Sequence, residues 1–338
     1  MRTRTSIRVK MKNRIFGDYN VIKQIGQGSL GTVYLSEHRF MRRHYALKVL
    51  PEELASDRTF IQRFEEGVAQ LSLLEHPNIV KIHNVSYAEG AYFLVMDCIT
   101  DKLGETTNMA HYLANHEGMW DENKLYDILY QVADALDFAH GQREGETYLT
   151  HHRLKLNNIL MGDDSKQQKI VLSDFGLAKI VGLGTLLNRT YKILAESLGM
   201  GNGGQAYNKE SYLNYNEDPS RSQRLHESFL QNYQFLAPEQ KRIAQLDDVG
   251  PKADVYAFGV LAYYLMVREY PEGIFPLPSE LFSCYEYDWD TLISECLQSD
   301  IDKRPTLLTD LLETIRTEKR KRPLPLVESS LQKLQEEK

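Results

Sequence analysis

The sequence predicts an α+β protein of two lobes, a small one built on an antiparallel sheet with one helix and a larger one that is mainly helical. Three observations carry that prediction. The chain has 338 residues, long for one small core, so two lobes or domains are expected. From Tyr19 to Met96 apolar residues alternate as strands do, around one helical stretch. From about Asn108 onward the spacing becomes helical. A sheet-rich half followed by a helix-rich half is the α+β plan.

The elements follow in order. Tyr19–Ile25 and Thr32–Ser36 read as strands flanking Gly26-Gln27-Gly28-Ser29-Leu30-Gly31, and Tyr45–Leu50 as the next strand. Residues 57–75 read as a helix with Phe60, Phe64 and Leu71 on one stripe. Val80–Val85 and Ala91–Met96 complete the sheet. Asp121–His140, Ala253–Val267, Trp289–Leu297 and Thr306–Thr317 then show helical periodicity. The expected organisation is a basic flexible leader over 1–18 and a domain over 19–317. That domain divides into lobes of 19–97 and 98–317, with a long insertion at about 180–230. Residues 318–338 read as a mobile charged tail containing Arg322-Pro323-Leu324-Pro325. No internal repeat is visible.

Composition narrows the function. An apolar share of 42% and a charged share of 26% are those of an ordinary soluble globular protein. The net charge of −7 argues against nucleic acid as a partner, since such binders carry a basic excess. Cys98, Cys284 and Cys296 are too few and too scattered for a disulfide framework or zinc site, so a cytoplasmic setting is expected. The longest apolar run, Ala257 to Val267, is about half of what a membrane span needs. Arg2, Arg4, Arg8, Lys10, Lys12 and Arg14 open the chain without an acid or a following apolar segment, which is unlike a secretory signal. That stretch reads as a disordered leader, as residues ahead of a true start at Met11, or as a lipid- or partner-docking arm.

The glycine pattern alone is weak, because dinucleotide-binding folds share it; there the glycines open a helix. Here Thr32-Val33-Tyr34-Leu35 continues as a strand, and a lysine follows in Tyr45-Ala46-Leu47-Lys48. A tight three-glycine hairpin is the plain alternative. Downstream come Ser173-Asp174-Phe175-Gly176, Leu236-Ala237-Pro238-Glu239, Asp254-Val255-Tyr256-Ala257-Phe258-Gly259 and Arg304. With these motifs in order, Tyr19 to Thr317 resembles the protein kinases. Ala46–Phe64, with Pro51-Glu52-Glu53-Leu54-Ala55, is most similar to bacterial Ser/Thr kinases. Glu37-His38-Arg39-Phe40 resembles chlamydial kinase-like proteins.

The resemblance implies ATP and Mg2+ as cofactors and an unidentified protein substrate or partner. It places Gly26, Gly28, Gly31 and Lys48 at the phosphates and Met96 at the gatekeeper position. The Asp97 carbonyl and Ile99 amide would bond the adenine edge, and Val33, Ala46 and Leu160 would enclose the ring. These three are ordinary core residues on a plain reading. Asp174 and Asn158 would hold metal, although a loop asparagine is ordinarily a turn residue. Glu239 with Arg304, and Asp254, would be structural, and Lys155 would lie near the transferred phosphate.

The catalytic loop departs from this pattern. Kinases of this kind read His-Arg-Asp-Leu-Lys-x-x-Asn, whereas this chain reads His151-His152-Arg153-Leu154-Lys155-Leu156-Asn157-Asn158. Arg153 therefore stands at the position of the catalytic aspartate, and a guanidinium accepts no hydrogen bond and no proton. A one-residue deletion instead would leave His152-Arg153 as the usual pair, still without the aspartate. Gly67 falls where the helix glutamate partner of Lys48 should be, while Glu65 and Glu66 point away. Asn232 replaces a threonine that supports the loop, and His152 replaces a phosphate-capturing arginine. The 66 residues from Asp174 to Glu239 make a long loop, either disordered or a docking or phosphate-accepting element. Its tyrosines Tyr207, Tyr212 and Tyr215 are candidates for the latter role.

Three readings follow. The first is a pseudokinase that binds ATP and magnesium and signals through conformation or scaffolding. The second is a slow Ser/Thr kinase, since positioning and metal supply much of the rate in phosphoryl transfer. The third is a nucleotide-free binding module with Arg153 paired to Asp174.

Overall fold

A computed structural model describes residues 14–28, 30–56, 58–116, 118–144, 147–163, 168–182, 232–242 and 249–318. The small lobe is a six-stranded antiparallel sheet of β1 (Ile15–Phe16), β2 (Tyr19–Gly28), β3 (Gly31–His38), β4 (His44–Val49), β5 (Ile82–Ala88) and β6 (Ala91–Asp97). The spatial order is β1-β2-β3-β4-β6-β5. The two-residue period of a strand sorts its side chains. Phe16, Val21, Tyr34, Leu47, Phe93 and Val95 form the core of one face. Ala46, Ile82, Leu94 and Met96 belong to the other, larger core. Ile15-Phe16, expected in the flexible leader, instead adds an edge strand, with Phe16 fully buried.

The β2–β3 hairpin is the glycine loop, with Gly28 opposite Gly31. Gly31 has φ +124°, and a Cβ there would lie 1.9 Å from the Val49 carbonyl oxygen. Only glycine satisfies both conditions. Gly31→Ala is therefore expected to open this hairpin and lower stability by about 1–3 kcal/mol, measured by denaturant unfolding. An unchanged midpoint would contradict this requirement for glycine at the turn.

The helix expected over 57–75 is α2 (Arg58–Leu71), preceded by a short α1 (Glu52–Ala55) that was not expected. Phe60, Ile61, Phe64, Val68 and Leu71 are its buried side. The strand expected from Val80 begins only at Ile82, because Val80 N donates to the Leu172 carbonyl (2.9 Å) and Leu172 N to that of Asn78 (2.8 Å). The large-lobe strand thus takes the backbone groups that a longer β5 would have used.

The large lobe begins with β7 (Thr107–Asn108), α3 (Met109–Asn115) and α4 (Glu122–Gly141), followed by β8 (Arg143–Glu144) and β9 (Thr147–Tyr148). A 3-10 turn at Leu156–Asn158 leads into β10 (Ile159–Asp163) and β11 (Gln168–Leu172), and α5 (Leu177–Val181) follows. Then come α6 (Pro238–Arg242), α7 (Lys252–Val267), α8 (Pro278–Leu281), α9 (Trp289–Cys296) and α10 (Leu308–Thr317). The four helices expected here are α4, α7, α9 and α10, each shifted by no more than two residues at either end. α7 is apolar on nearly every face and buried accordingly. α10 starts at Leu308 rather than Thr306, where Asp137 of α4 accepts from the Leu308 and Thr309 amides (3.0 and 2.9 Å). No helix among the described residues is long and apolar enough to cross a membrane. Most of the insertion expected over about 180–230, with its candidates Tyr207, Tyr212 and Tyr215, the first thirteen residues and the tail from residue 319 lie outside the described residues.

Candidate active site between the sheet and the catalytic loop

The residues expected at the adenine lie on or beside β3, β4, β6 and β10. Ala46 pairs with Met96 across β4 and β6, and both are buried. Met96 also faces Leu71, Ile79, Phe175 and Leu177 across a gap of about 10 Å³. Asp97 N donates to the Lys81 carbonyl (3.0 Å) and its carboxylate meets His83 Nε2 (2.7 Å). The Ile99 amide makes no backbone hydrogen bond among the described residues, which suits the adenine role expected of it. Gly162 lets β10 run close beneath this segment, because a Cβ there would sit 2.9 Å from Ile99 Cγ2. Leu160 on the same strand and Val33 on β3 are half-buried against the main core. In the glycine hairpin expected at the phosphates, a Cβ on Gly28 would meet nothing within 4 Å. Among the described residues no packing demands that glycine, in contrast to Gly31; Gly26 has only ordinary contact with Val33.

Asp254, in the first turn of α7, fixes the catalytic loop. Its carboxylate accepts from the amides of His151 and His152, both at 2.7 Å, and bonds His140 Nε2 at 2.9 Å. A carboxylate at a helix N-terminus is also favoured by the helix dipole. Burial raises its pKa, but the His140 hydrogen bond and the charges of His140, His152 and His151 outweigh that and bring it to about 2. Because the folded value lies below the ordinary aspartate value of 3.8, the ionised form favours folding. Its contribution is complete above about pH 4 and is lost as pH falls toward about 2. Wild-type stability should therefore drop by about 2 kcal/mol across that window. In Asp254→Asn, unfolding free energies against pH should lack this component; an identical acid slope would contradict the assignment.

The loop held this way places the ring of His151 against that of Phe175, with centroids 4.9 Å apart. His152 takes a left-handed φ of 56° and is buried, and burial lowers its ring pKa. A buried, mainly neutral imidazole cannot take over phosphate capture from an arginine. The Arg153 carbonyl accepts from Asn158 Nδ2 (2.9 Å), and its guanidinium donates to Asn232 Oδ1 (3.2 Å). Lys155 Nζ donates to the same oxygen at 2.7 Å. Asn232, expected as a departure from the family's threonine, thus bonds both Arg153 and Lys155.

Lys48 on β4 is buried and bonded directly to Asp174, which sits at a left-handed φ of 63°. The third reading placed Arg153 on Asp174; among the described residues Asp174 is ion-paired to Lys48, with Arg153 near enough to attract its charge. The cause lies in α2. Gly67 faces Ile180 of α5, and a Cβ at Gly67 would come within 2.6 Å of that side chain. Glu66 is exposed and bonded by Gln62 (3.1 Å). With no acid available from α2, Lys48 turns to Asp174. Burial raises the Asp174 pKa, but attraction to Lys48, Arg153 and Lys155 prevails and lowers it. Burial holds Lys155 well below the usual lysine value, reinforced by Arg153 and Lys48 and opposed by Asp174.

Asp174 and Asn158 are the residues that would hold a magnesium ion. They supply one carboxylate and one amide among three cationic side chains, a thin donor set for a hard divalent cation. Farther off, Arg304 is buried and bidentate to Glu239 at 2.6 and 2.9 Å, with further bonds to the carbonyls of Gln298 and Lys252 at 2.8 Å. The pair expected to be structural is formed. Two contacts were not anticipated. The α5–Gly67 packing leaves no sequence signal beyond an odd glycine in a helix. The His140–Asp254 bond could have been sought from the histidine ending the apolar helix α4.

A sheet lobe with a glycine hairpin and a strand lysine, over a helical lobe with a metal-type aspartate and an anchored loop, defines the protein-kinase class of fold. The protein kinase domain family matches residues 19–194, and the chain belongs to that family. Serine/threonine-protein kinase pkn1 of Chlamydia caviae is 35% identical over 296 residues, covering 88% of this chain and 41% of the relative. Pkn1 of Chlamydia trachomatis is 32% identical over 297 residues, covering 88% and 41%. The chain therefore spans about two fifths of these relatives' length. The PknI kinase domain of Mycobacterium tuberculosis shares the fold, with a TM-score of 0.59 at 21% identity, covering 90% of this chain and 98% of that one.

Proposed function

We propose that this chain is a pseudokinase: it binds ATP, accompanied by magnesium held through Asp174 and Asn158, and acts on a protein partner through conformation or scaffolding. The observation that carries this reading is Arg153, a cation bonded to Asn232 where a carboxylate should orient and deprotonate the substrate hydroxyl. Loss of a positioned base lowers rate by about 10²–10⁴. Three features expected at the nucleotide support the binding half of the reading: Lys48, the Ile99 amide, and the open face of Gly28.

A second reading, a slow Ser/Thr kinase, is favoured by Lys155, which stays beside the loop on Asn232 as a transferring enzyme would require. The relatives named as serine/threonine kinases point the same way. Calorimetric titration of the chain with ATP tests what both readings share. Saturable binding is expected, and its absence would leave the nucleotide-free module. Transfer of label from ATP then separates the first two readings.

A further inference from the structure

Charge is divided unevenly along this chain. Of its 40 lysines and arginines, ten lie in residues 1–44, against two of its 47 acids, Asp18 and Glu37. An excess of one sign at one end of an acidic chain points to an anionic partner for that end. The structure shows where part of the excess is displayed. Arg39-Phe40-Met41-Arg42-Arg43 forms the turn between β3 and β4, and all five residues are exposed. Arg39 N donates to the Asp18 carbonyl (2.8 Å), which sets this turn beside the one joining β1 to β2. Arg14 is exposed just ahead of β1, so the basic leader joins the fold within a few residues of that contact. One of the two acids is already engaged, Glu37 with Arg42 (2.9 Å).

Two large apolar side chains stand among these cations, Phe40 at 76% exposure and Met41 at 52%. Their backbone is held in place. The Phe40 and Met41 amides donate to His38 Nδ1 (3.3 and 3.1 Å). Arg42 N donates to the His38 carbonyl and His38 N to that of Arg43, both at 2.9 Å. A turn fixed this way presents its apolar pair at little further ordering cost on binding. Arginines on both sides of an apolar pair match the layering of an anionic bilayer, with phosphates at the surface and acyl chains beneath. The turn lies at the opposite end of β3 from the glycine hairpin, so contact here does not involve that hairpin. We infer that the β3–β4 turn docks this chain on an anionic lipid surface, Phe40 and Met41 entering the acyl boundary while Arg39 and Arg43 meet headgroup phosphates. The inference is independent of the nucleotide reading above.

The experiment is flotation of the full chain with phosphatidylcholine vesicles, and with vesicles that also contain about 30% phosphatidylglycerol. Partitioning should favour the anionic vesicles by about tenfold or more and weaken as salt is raised. Arg39→Gln combined with Arg43→Gln should lower it by about tenfold. Phe40→Ser combined with Met41→Ser should lower it by about as much. Circular dichroism confirms that each variant folds. Phe40→Trp reports on the turn itself, because Trp120 and Trp289 are buried. Its emission should shift to the blue, and be quenched by brominated acyl chains, on anionic vesicles only. No vesicle binding, or equal binding to both kinds of vesicle, would overturn the inference. Anionic binding that neither double variant weakens, with no shift in Phe40→Trp, would assign the attraction to other residues and overturn the role of the turn. Retention on immobilised polyglutamate without vesicle binding would overturn the lipid assignment in favour of an acidic protein.

Discussion

Arg153→Asp is expected to raise phosphoryl transfer by about 10², at the low end of what a positioned base contributes. The low end applies because two other departures from the family pattern remain. Gly67 still offers Lys48 no partner, and Ile180 fills the space where a side chain would grow. Asn232 still supports the loop with an amide in place of a hydroxyl. The restored carboxylate would lie beside Lys155 and beside the carbonyl-bonded Asn158, in a loop that Asp254 already fixes. Initial rates with labelled ATP at saturating nucleotide measure the effect. A folded, ATP-binding Arg153→Asp protein with no gain would mean that the missing carboxylate is not what limits transfer.

The departure of the catalytic loop was legible because it falls on residues of fixed spacing. Arg153, Asn158 and Asp174 stand in register with motifs that the chain otherwise keeps, and the fold depends on patterns of period two and 3.6 that the strands and helices obey. Helix α2 shows the limit. The apolar stripe of Phe60, Phe64 and Leu71 placed Gly67 on the inward side, yet nothing local says that α5 packs there. That contact joins residues far apart in sequence. Val80 illustrates the same point, since a strand pattern cannot show that Leu172 will capture its amide. The Lys48–Asp174 bond likewise depends on what α2 fails to supply, which only the assembled lobes show.

The second large effect concerns the large-lobe scaffold. Arg304→Met should destabilise the chain by about 3–5 kcal/mol, because it strands the Glu239 carboxylate in a buried setting. It also removes the donors to Gln298 and Lys252. Glu239→Leu combined with Arg304→Met should lose less than Arg304→Met alone, since no unpaired charge then remains. Urea unfolding of the two single variants and the double variant supplies the cycle. Strict additivity would show that the pair contributes little beyond packing. Such a loss would fall on stability, whereas the Arg153 change falls on chemistry, so the two sets of variants separate scaffold from site.

Occupancy without turnover is the central claim, and label transfer from γ-labelled ATP tests it most directly. The wild-type chain, at nucleotide concentrations that saturate it by titration, should transfer no more label to itself or to a generic protein substrate than Asp174→Ala does. Transfer by the wild type that Asp174→Ala abolishes would contradict the claim and establish the chain as a working kinase.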